Sequence, residues 1–126
     1  MKIDSLDHLV LTVADIDRTS TFYEAVLGME PRQAGGRHAL HYGAQKINLH
    51  RHGHEFEPKA KHPVPGSADL CFITTLSIPA VMIHLARCEV PVEVGPVERE
   101  GASGPLLSVY IRDPDDNLIE IANLRT

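Results

Sequence analysis

Hydrophobic and polar positions interleave from the start of the chain. Leu6-Asp7-His8-Leu9-Val10-Leu11-Thr12-Val13 is aliphatic and β-branched with polar groups at every second or fourth place, which predicts a strand. The spacing then changes. Ile16, Tyr23, Val26 and Leu27, with Phe22 beside them, recur at helical intervals between a capping Asp15 and a terminating Gly28. From Met29 the pattern predicts three short strands: one before the Gly35-Gly36 turn, one over Arg37 to Tyr42, and one over Gln45 to Arg51 after the turn at Gly43. The first half reads βαβββ.

A stretch without periodicity, Glu57 to Gly66, carries Pro58, Pro63 and Pro65 and reads as a connector. The order then repeats. Ala68 to Thr74 predicts a strand, and Ile78, Val81, Met82 and Leu85 form a helical apolar stripe with Pro79 in its first turn, where a missing N–H is tolerated. That helix is expected to end near Cys88. Strands follow at Pro91 to Val97 and Leu106 to Arg112, then the turn Asp113-Pro114-Asp115-Asp116-Asn117, then a last strand from Leu118 to Leu124. The expectation is an α+β fold of two tandem βαβββ modules in a single domain over residues 1–126. The first module spans about 4–52, the connector about 53–66 and the second module about 67–124.

The two halves can be laid over each other. Asp7-His8-Leu9-Val10-Leu11 falls on Ala68-Asp69-Leu70-Cys71-Phe72, and Ile47-Asn48-Leu49 falls on Ile119-Glu120-Ile121. At each equivalent position a polar residue has mostly aliphatic neighbours: His8 with Asp69, and Asn48 with Glu120. Side chains alternate across a strand, so the aliphatic set can face the helices while the polar set faces away. One imidazole and two carboxylates converging on that polar face would repel as a cluster without a cation, and a divalent metal removes the repulsion. His8, Asp69 and Glu120 are therefore the candidate ligands, each an ordinary nitrogen or oxygen donor. Asn48 completes the set as a weak ligand or pocket wall, and His50 lies two residues on, on the same face. Alternate histidines at 52 and 54, with His62 beyond, run into the connector and read as a solvated loop. The acidic turn at 113–116 lacks the glycine and the terminal glutamate of a calcium loop and reads as a turn.

Composition narrows the function classes. The net charge of −5 with scattered basic residues leaves no footprint for a phosphate backbone, which argues against nucleic acid. No apolar run approaches the roughly 18 residues of a membrane span, and no signal-peptide pattern opens the chain, so a cytoplasmic, non-membrane protein is expected. Cys71 and Cys88 form neither a CxxC pair nor a disulfide framework, and both read as reduced, semi-buried core thiols. A phosphate-cradling glycine loop, a GxSxG elbow and an HExxH pair are absent from the sequence.

These residues resemble the vicinal oxygen chelate superfamily, which includes glyoxalase I, fosfomycin-resistance proteins, extradiol dioxygenases and bleomycin-resistance proteins. Asp7-His8 and the Asp113-Pro114-Asp115 turn before Glu120 mark the superfamily. Lys46-Ile47-Asn48-Leu49-His50, Glu55-Phe56-Glu57-Pro58-Lys59-Ala60, Pro63-Val64-Pro65-Gly66-Ser67 and Arg112-Asp113-Pro114 resemble the branch of glyoxalase domain-containing protein 5 and its bacterial relatives, some of them labelled virulence proteins. The resemblance covers essentially the whole chain. It implies two βαβββ modules forming a curved, metal-holding sheet cup, with ligands at His8, Asn48, Asp69 and Glu120. Glyoxalase I is expected to carry a glutamate or glutamine in place of Asn48 and a histidine in place of Asp69, so the lactoylglutathione reaction is not carried over. Extradiol dioxygenases need a second histidine, which only His50 could supply.

The leading expectation is a divalent-metal-dependent enzyme of lyase or isomerase type acting on a small oxygenated substrate, with a glutathione- or thiol-linked reaction as a variant. The metal would be one of Mn, Mg, Ca, Zn, Ni or Fe, with carboxylate in place of imidazole favouring the harder ions. Glu120 is the candidate catalytic proton carrier, and Arg37 and Tyr110 are candidates for the substrate pocket. The alternatives are a non-catalytic protein that sequesters an antibiotic or metabolite, and a dioxygenase. A homodimer is expected, because exposed strand edges on a chain of this size are readily covered by a second copy.

Overall fold

The computed structural model describes residues 1–125. Its elements are β1 (His8–Val13), α1 (Ile16–Leu27), β2 (Glu30–Ala34), β3 (Arg37–Tyr42), β4 (Gln45–Arg51), β5 (Asp69–Ile73), α2 (Ile78–Arg87), β6 (Val94–Gly101), β7 (Gly104–Arg112) and β8 (Leu118–Leu124). The chain divides into two compact units, Met1–Gly66 and Ser67–Thr126. Each holds one helix and one open four-stranded mixed sheet, in the orders β1-β4-β3-β2 and β5-β8-β7-β6. The βαβββ repeat predicted from the pattern is the observed architecture.

In the first unit β1 runs parallel to β4 with Leu9 opposite Ile47 and Leu11 opposite Leu49, and β3 lies antiparallel to β4 with Leu40 opposite Ile47. Leu11, Val13, Leu40, Ile47 and Leu49 are buried together with Tyr23 and Val26 of α1, so the aliphatic parity of the strands forms the core and the other parity is left for chemistry. Asp15 caps α1 by accepting from the Arg18 N–H at 3.0 Å. Gly28 closes it in the left-handed region at φ 67°, a conformation that costs a side-chain-bearing residue about 1 kcal/mol or more.

The second unit repeats the register: Leu70 opposite Ile119 and Phe72 opposite Ile121, in parallel. Val109, Ile111, Ile119 and Ile121 are buried with Ile78, Val81 and Leu85 of α2. Ser77 caps α2, with Pro79 in its first turn. One boundary differs from expectation. The sequence predicts a strand over Pro91 to Val97, whereas β6 spans Val94–Gly101 and turns through Ala102-Ser103 into β7, with Gly101 opposite Gly104. β6 is an edge strand paired only with β7, so Glu98-Arg99-Glu100 can be fully polar and the apolar pattern fades where the ladder continues. An irregularity between Val94 and Val97 further breaks the alternation.

Candidate metal and substrate site

The polar parity of the second sheet carries the two carboxylates. Asp69 stands opposite Leu118 at the start of β5, Cys71 stands opposite Glu120, and Tyr110 of β7 stands opposite Glu120 from the other side. Cys71, Glu120 and Tyr110 are thus side by side across three strands. The buried Ser108 hydroxyl donates to Glu120 Oε2 at 2.6 Å, a short charge-assisted bond that fixes the carboxylate. Asp69, Glu93, Arg99, Tyr110 and Glu120 line an open concavity of about 360 Å³.

The cations at this concavity are committed elsewhere. Arg112 forms a two-pronged pair with Glu93, at 3.2 Å from Nε and 3.1 Å from Nη2. Arg99 donates to the Tyr110 hydroxyl at 3.1 Å and lies over its ring. Among the described residues, neither Asp69 nor Glu120 takes an ion pair. Burial pushes the Cys71 thiol up to about 11, assisted by the charge of Glu120, a hydrogen bond to it and the charge of Asp69. Cys71 is exposed, contrary to the core position expected from sequence, because it shares strand parity with Asp69 rather than with Leu70 and Phe72. Cys88 is half-buried with its Sγ 3.7 Å from His84 Nε2, and neither cysteine is in a disulfide.

The acidic turn explains how Asp69 is placed. Asp113 is buried and accepts from the backbone N–H of Asp115 at 2.9 Å and of Asn117 at 3.0 Å, and from the Asn117 amide at 2.8 Å. Asn117 in turn accepts from the Ala68 N–H at 2.9 Å, pinning the residue before Asp69 to the head of β8. Asp113 is spent on its own turn, as expected for a turn rather than a calcium loop.

The first unit presents His8 on β1, exposed, with Nδ1 2.8 Å from Asp7 Oδ1. The hydrogen bond to His8 holds the Asp7 carboxyl below its usual range. With Nδ1 as donor to the carboxylate, Nε2 keeps its lone pair, the arrangement common to metal-binding histidines. Asn48 faces the same side of the sheet, opposite Ala39, and His50 follows it on β4. Phe56, from the connector, lies over the Arg37 guanidinium at 4.1 Å and meets the His50 ring edge-on at 5.4 Å. The sequence offered one signal for Phe56, a lone aromatic in an otherwise polar connector. His52, His54 and His62 are exposed.

Fitness for a divalent ion is therefore a matter of donor chemistry: an imidazole, and carboxylates that make no ion pair among the described residues, suit a hard or borderline ion. Among the described residues no three His, Cys, Asp or Glu side chains are gathered into a ready-made metal-holding group. The structure brings Asp69 and Glu120 to one concavity and Arg37, Asn48 and His50 to another. It also brings in Ser108, which the sequence did not single out, and gives Asp7 and Cys71 places beside His8 and Glu120.

Two open βαβββ units of this register define a glyoxalase-like protein. Residues 5–121 match the model of the glyoxalase/bleomycin resistance protein/dioxygenase superfamily, and the chain belongs to that family. It is 56% identical over 123 residues to virulence protein STM3117 of Salmonella typhimurium, covering 97% of this chain and 85% of that protein. The crystal structure of that protein superposes with a TM-score of 0.97 over 99% of this chain and 100% of the other. The chain is also 54% identical to glyoxalase domain-containing protein RDO1 of Mycosarcoma maydis, over 98% of this chain and 70% of that one. Two more distant structures share the fold. A lactoylglutathione lyase from Agrobacterium tumefaciens has a TM-score of 0.74 at 23% identity, covering 98% of this chain and 96% of that one. The fosfomycin resistance protein FosX of Listeria monocytogenes, solved with Mn(II) and a dihydroxypropylphosphonic acid, has a TM-score of 0.66 at 18% identity, covering 96% and 90%. Among the described residues no helix is long and apolar enough to cross a membrane.

Proposed function

We propose that the protein is a divalent-metal-dependent enzyme acting on a small oxygenated substrate by lyase or isomerase chemistry, with His8, Asp69 and Glu120 as the metal donors. The observation that carries this reading is the pair Asp69 and Glu120 on one sheet face, neither of them in an ion pair among the described residues, while Arg99 bonds Tyr110 and Arg112 bonds Glu93 and meets Asp69 only through its charge. Two carboxylates and an imidazole favour Mn²⁺, Mg²⁺ or Ca²⁺ over Zn²⁺ or Ni²⁺, and the Mn(II) in the structure of the fosfomycin resistance protein supports Mn²⁺. The ion would supply Lewis acidity at adjacent substrate oxygens.

The chain's own groups do the rest. Glu120, held by Ser108, is the proton carrier, since a carboxylate of fixed orientation within about 3 Å of a substrate proton can take it and return it. Tyr110, its hydroxyl oriented by Arg99, stands beside Glu120 as a substrate hydrogen-bond partner. The protein acts as a homodimer, because β1 and β5 are each the edge of their sheet and leave Val10 and Ile73 half exposed. Two cysteines outside any disulfide support a reducing, cytoplasmic setting.

Thermal unfolding in chelator-treated protein tests the ligand set. Mn²⁺ at about a hundred times its dissociation constant should stabilise the wild type by about 2.7 kcal/mol, which is several degrees for a chain of this size. Asp69→Asn, Glu120→Gln and His8→Ala should each lose most of that shift while keeping their metal-free melting temperature within a few degrees. An equal shift in all three variants would sink this assignment.

A further inference from the structure

The first sheet carries a second, chemically opposite surface. On the face away from α1, Arg37, Ala39 and His41 of β3 and Lys46, Asn48 and His50 of β4 share one parity, with Ala39 opposite Asn48 and His41 opposite Lys46. Arg32 of β2 adjoins them opposite Ala39. Ala39, small and flanked by long polar side chains, forms the floor of a concavity of about 400 Å³ whose lining contains no Asp or Glu. Glu30, the carboxylate of β2, is held by Arg32 at 3.1 and 3.2 Å. Arg37 and Lys46 make no salt bridge among the described residues.

Phe56 gives Arg37 a defined posture. The guanidinium carbon stands 4.1 Å from the centre of the ring, and the ring is itself braced edge-on against His50 at 5.4 Å. Contact with an aromatic face restrains the guanidinium without consuming its N–H donors, which is how an arginine is readied for a two-pronged grip on an oxyanion. Among the described residues no acceptor takes a hydrogen bond from that guanidinium. We infer that the first unit binds the oxyanion end of a small organic acid, gripped by Arg37, supported by Lys46, Asn48 and His50, and walled by Phe56 of the connector.

The site names a substrate class for the enzyme proposed above. Its anion-gripping groups all lie on β3, β4 and the connector, beside His8, which stands opposite Lys46. A carboxylate and a phosphate present the same grip, so the probes are malonate and inorganic phosphate, with uncharged malonamide as control. Isothermal titration at low ionic strength on chelator-treated protein removes any contribution from chelation of a bound ion. Malonate or phosphate should bind the wild type and malonamide should not, and the tighter of the two anions identifies the acid group.

Arg37→Met, which keeps a side chain against Phe56, should weaken the preferred anion tenfold or more. Arg37→Lys should lose several-fold because the fork is gone, and Phe56→Ala should lose several-fold through freed motion of Arg37. The anion titration is read without metal and the metal assignment by the Mn²⁺-induced thermal shift, so loss of the metal assignment and loss of the anion site give different patterns. Absence of anion binding in the wild type, equal binding of malonamide, or unchanged affinity in Arg37→Met would each overturn the inference.

Discussion

Cys71 lies opposite Glu120 across the parallel β5–β8 pair, and burial together with two neighbouring carboxylates pushes its thiol up to about 11. The reactive form of a thiol is the thiolate, so a thiol held above its ordinary value reacts slowly near pH 8. In a Cys88→Ser background, alkylation of Cys71 by iodoacetamide in the presence of chelator should be slow, and Glu120→Gln should accelerate it by removing a negative charge and a hydrogen bond to the thiol. Equal rates in the two proteins would mean that Cys71 does not sense that carboxylate. At this scale the candidate ligands were legible because they break an aliphatic pattern at repeated positions: His8 over Asp69, and Asn48 over Glu120. Cys71 was not, since a thiol among aliphatic residues does not break the pattern. Asp7 and Ser108 act as orienting partners through hydrogen bonds, at His8 Nδ1 and Glu120 Oε2, that strand parity alone does not reveal.

The elements that hold the site follow from local chemistry that the sequence states openly in most places. Asp15 and Gly28 bound α1, Ser77 and Pro79 open α2, and β2 through β4 and β8 lie where alternation and turn residues put them. β6 is the exception, because an edge strand needs no apolar face and its ladder continues through Glu98-Arg99-Glu100. The acidic turn is the element on which the second site depends. Asn117 is 1% exposed and joins Asp113 to Ala68, so Asn117→Ala would take the acceptor from the Ala68 N–H and one donor from Asp113. Leaving such groups unsatisfied costs about 1 to 3 kcal/mol, and a loss of about 2 to 3 kcal/mol is expected in urea unfolding. Because the same bond sets the residue before Asp69, Mn²⁺ affinity should fall in the variant even under conditions where it remains folded. Wild-type stability and unchanged metal affinity would show that the turn does not position Asp69.

Across the whole chain the internal repeat divides labour. Both units use the same register, Leu9 opposite Ile47 and Leu70 opposite Ile119, yet the polar faces carry opposite chemistry: arginine, lysine and imidazole on the first, carboxylates on the second. Repetition fixes the backbone frame, and substitution within it gives the two polar faces different side-chain chemistry. The proposed site, His8, Asp69 and Glu120, would hold one divalent ion per chain of a dimer. Native mass spectrometry of chelator-free protein incubated with Mn²⁺ reads ion count and oligomeric state together. A dimer carrying two ions, reduced to an ion-free dimer by Glu120→Gln, is the result this account predicts. A wild type that remains ion-free, or a Glu120→Gln protein that keeps both ions, would contradict it.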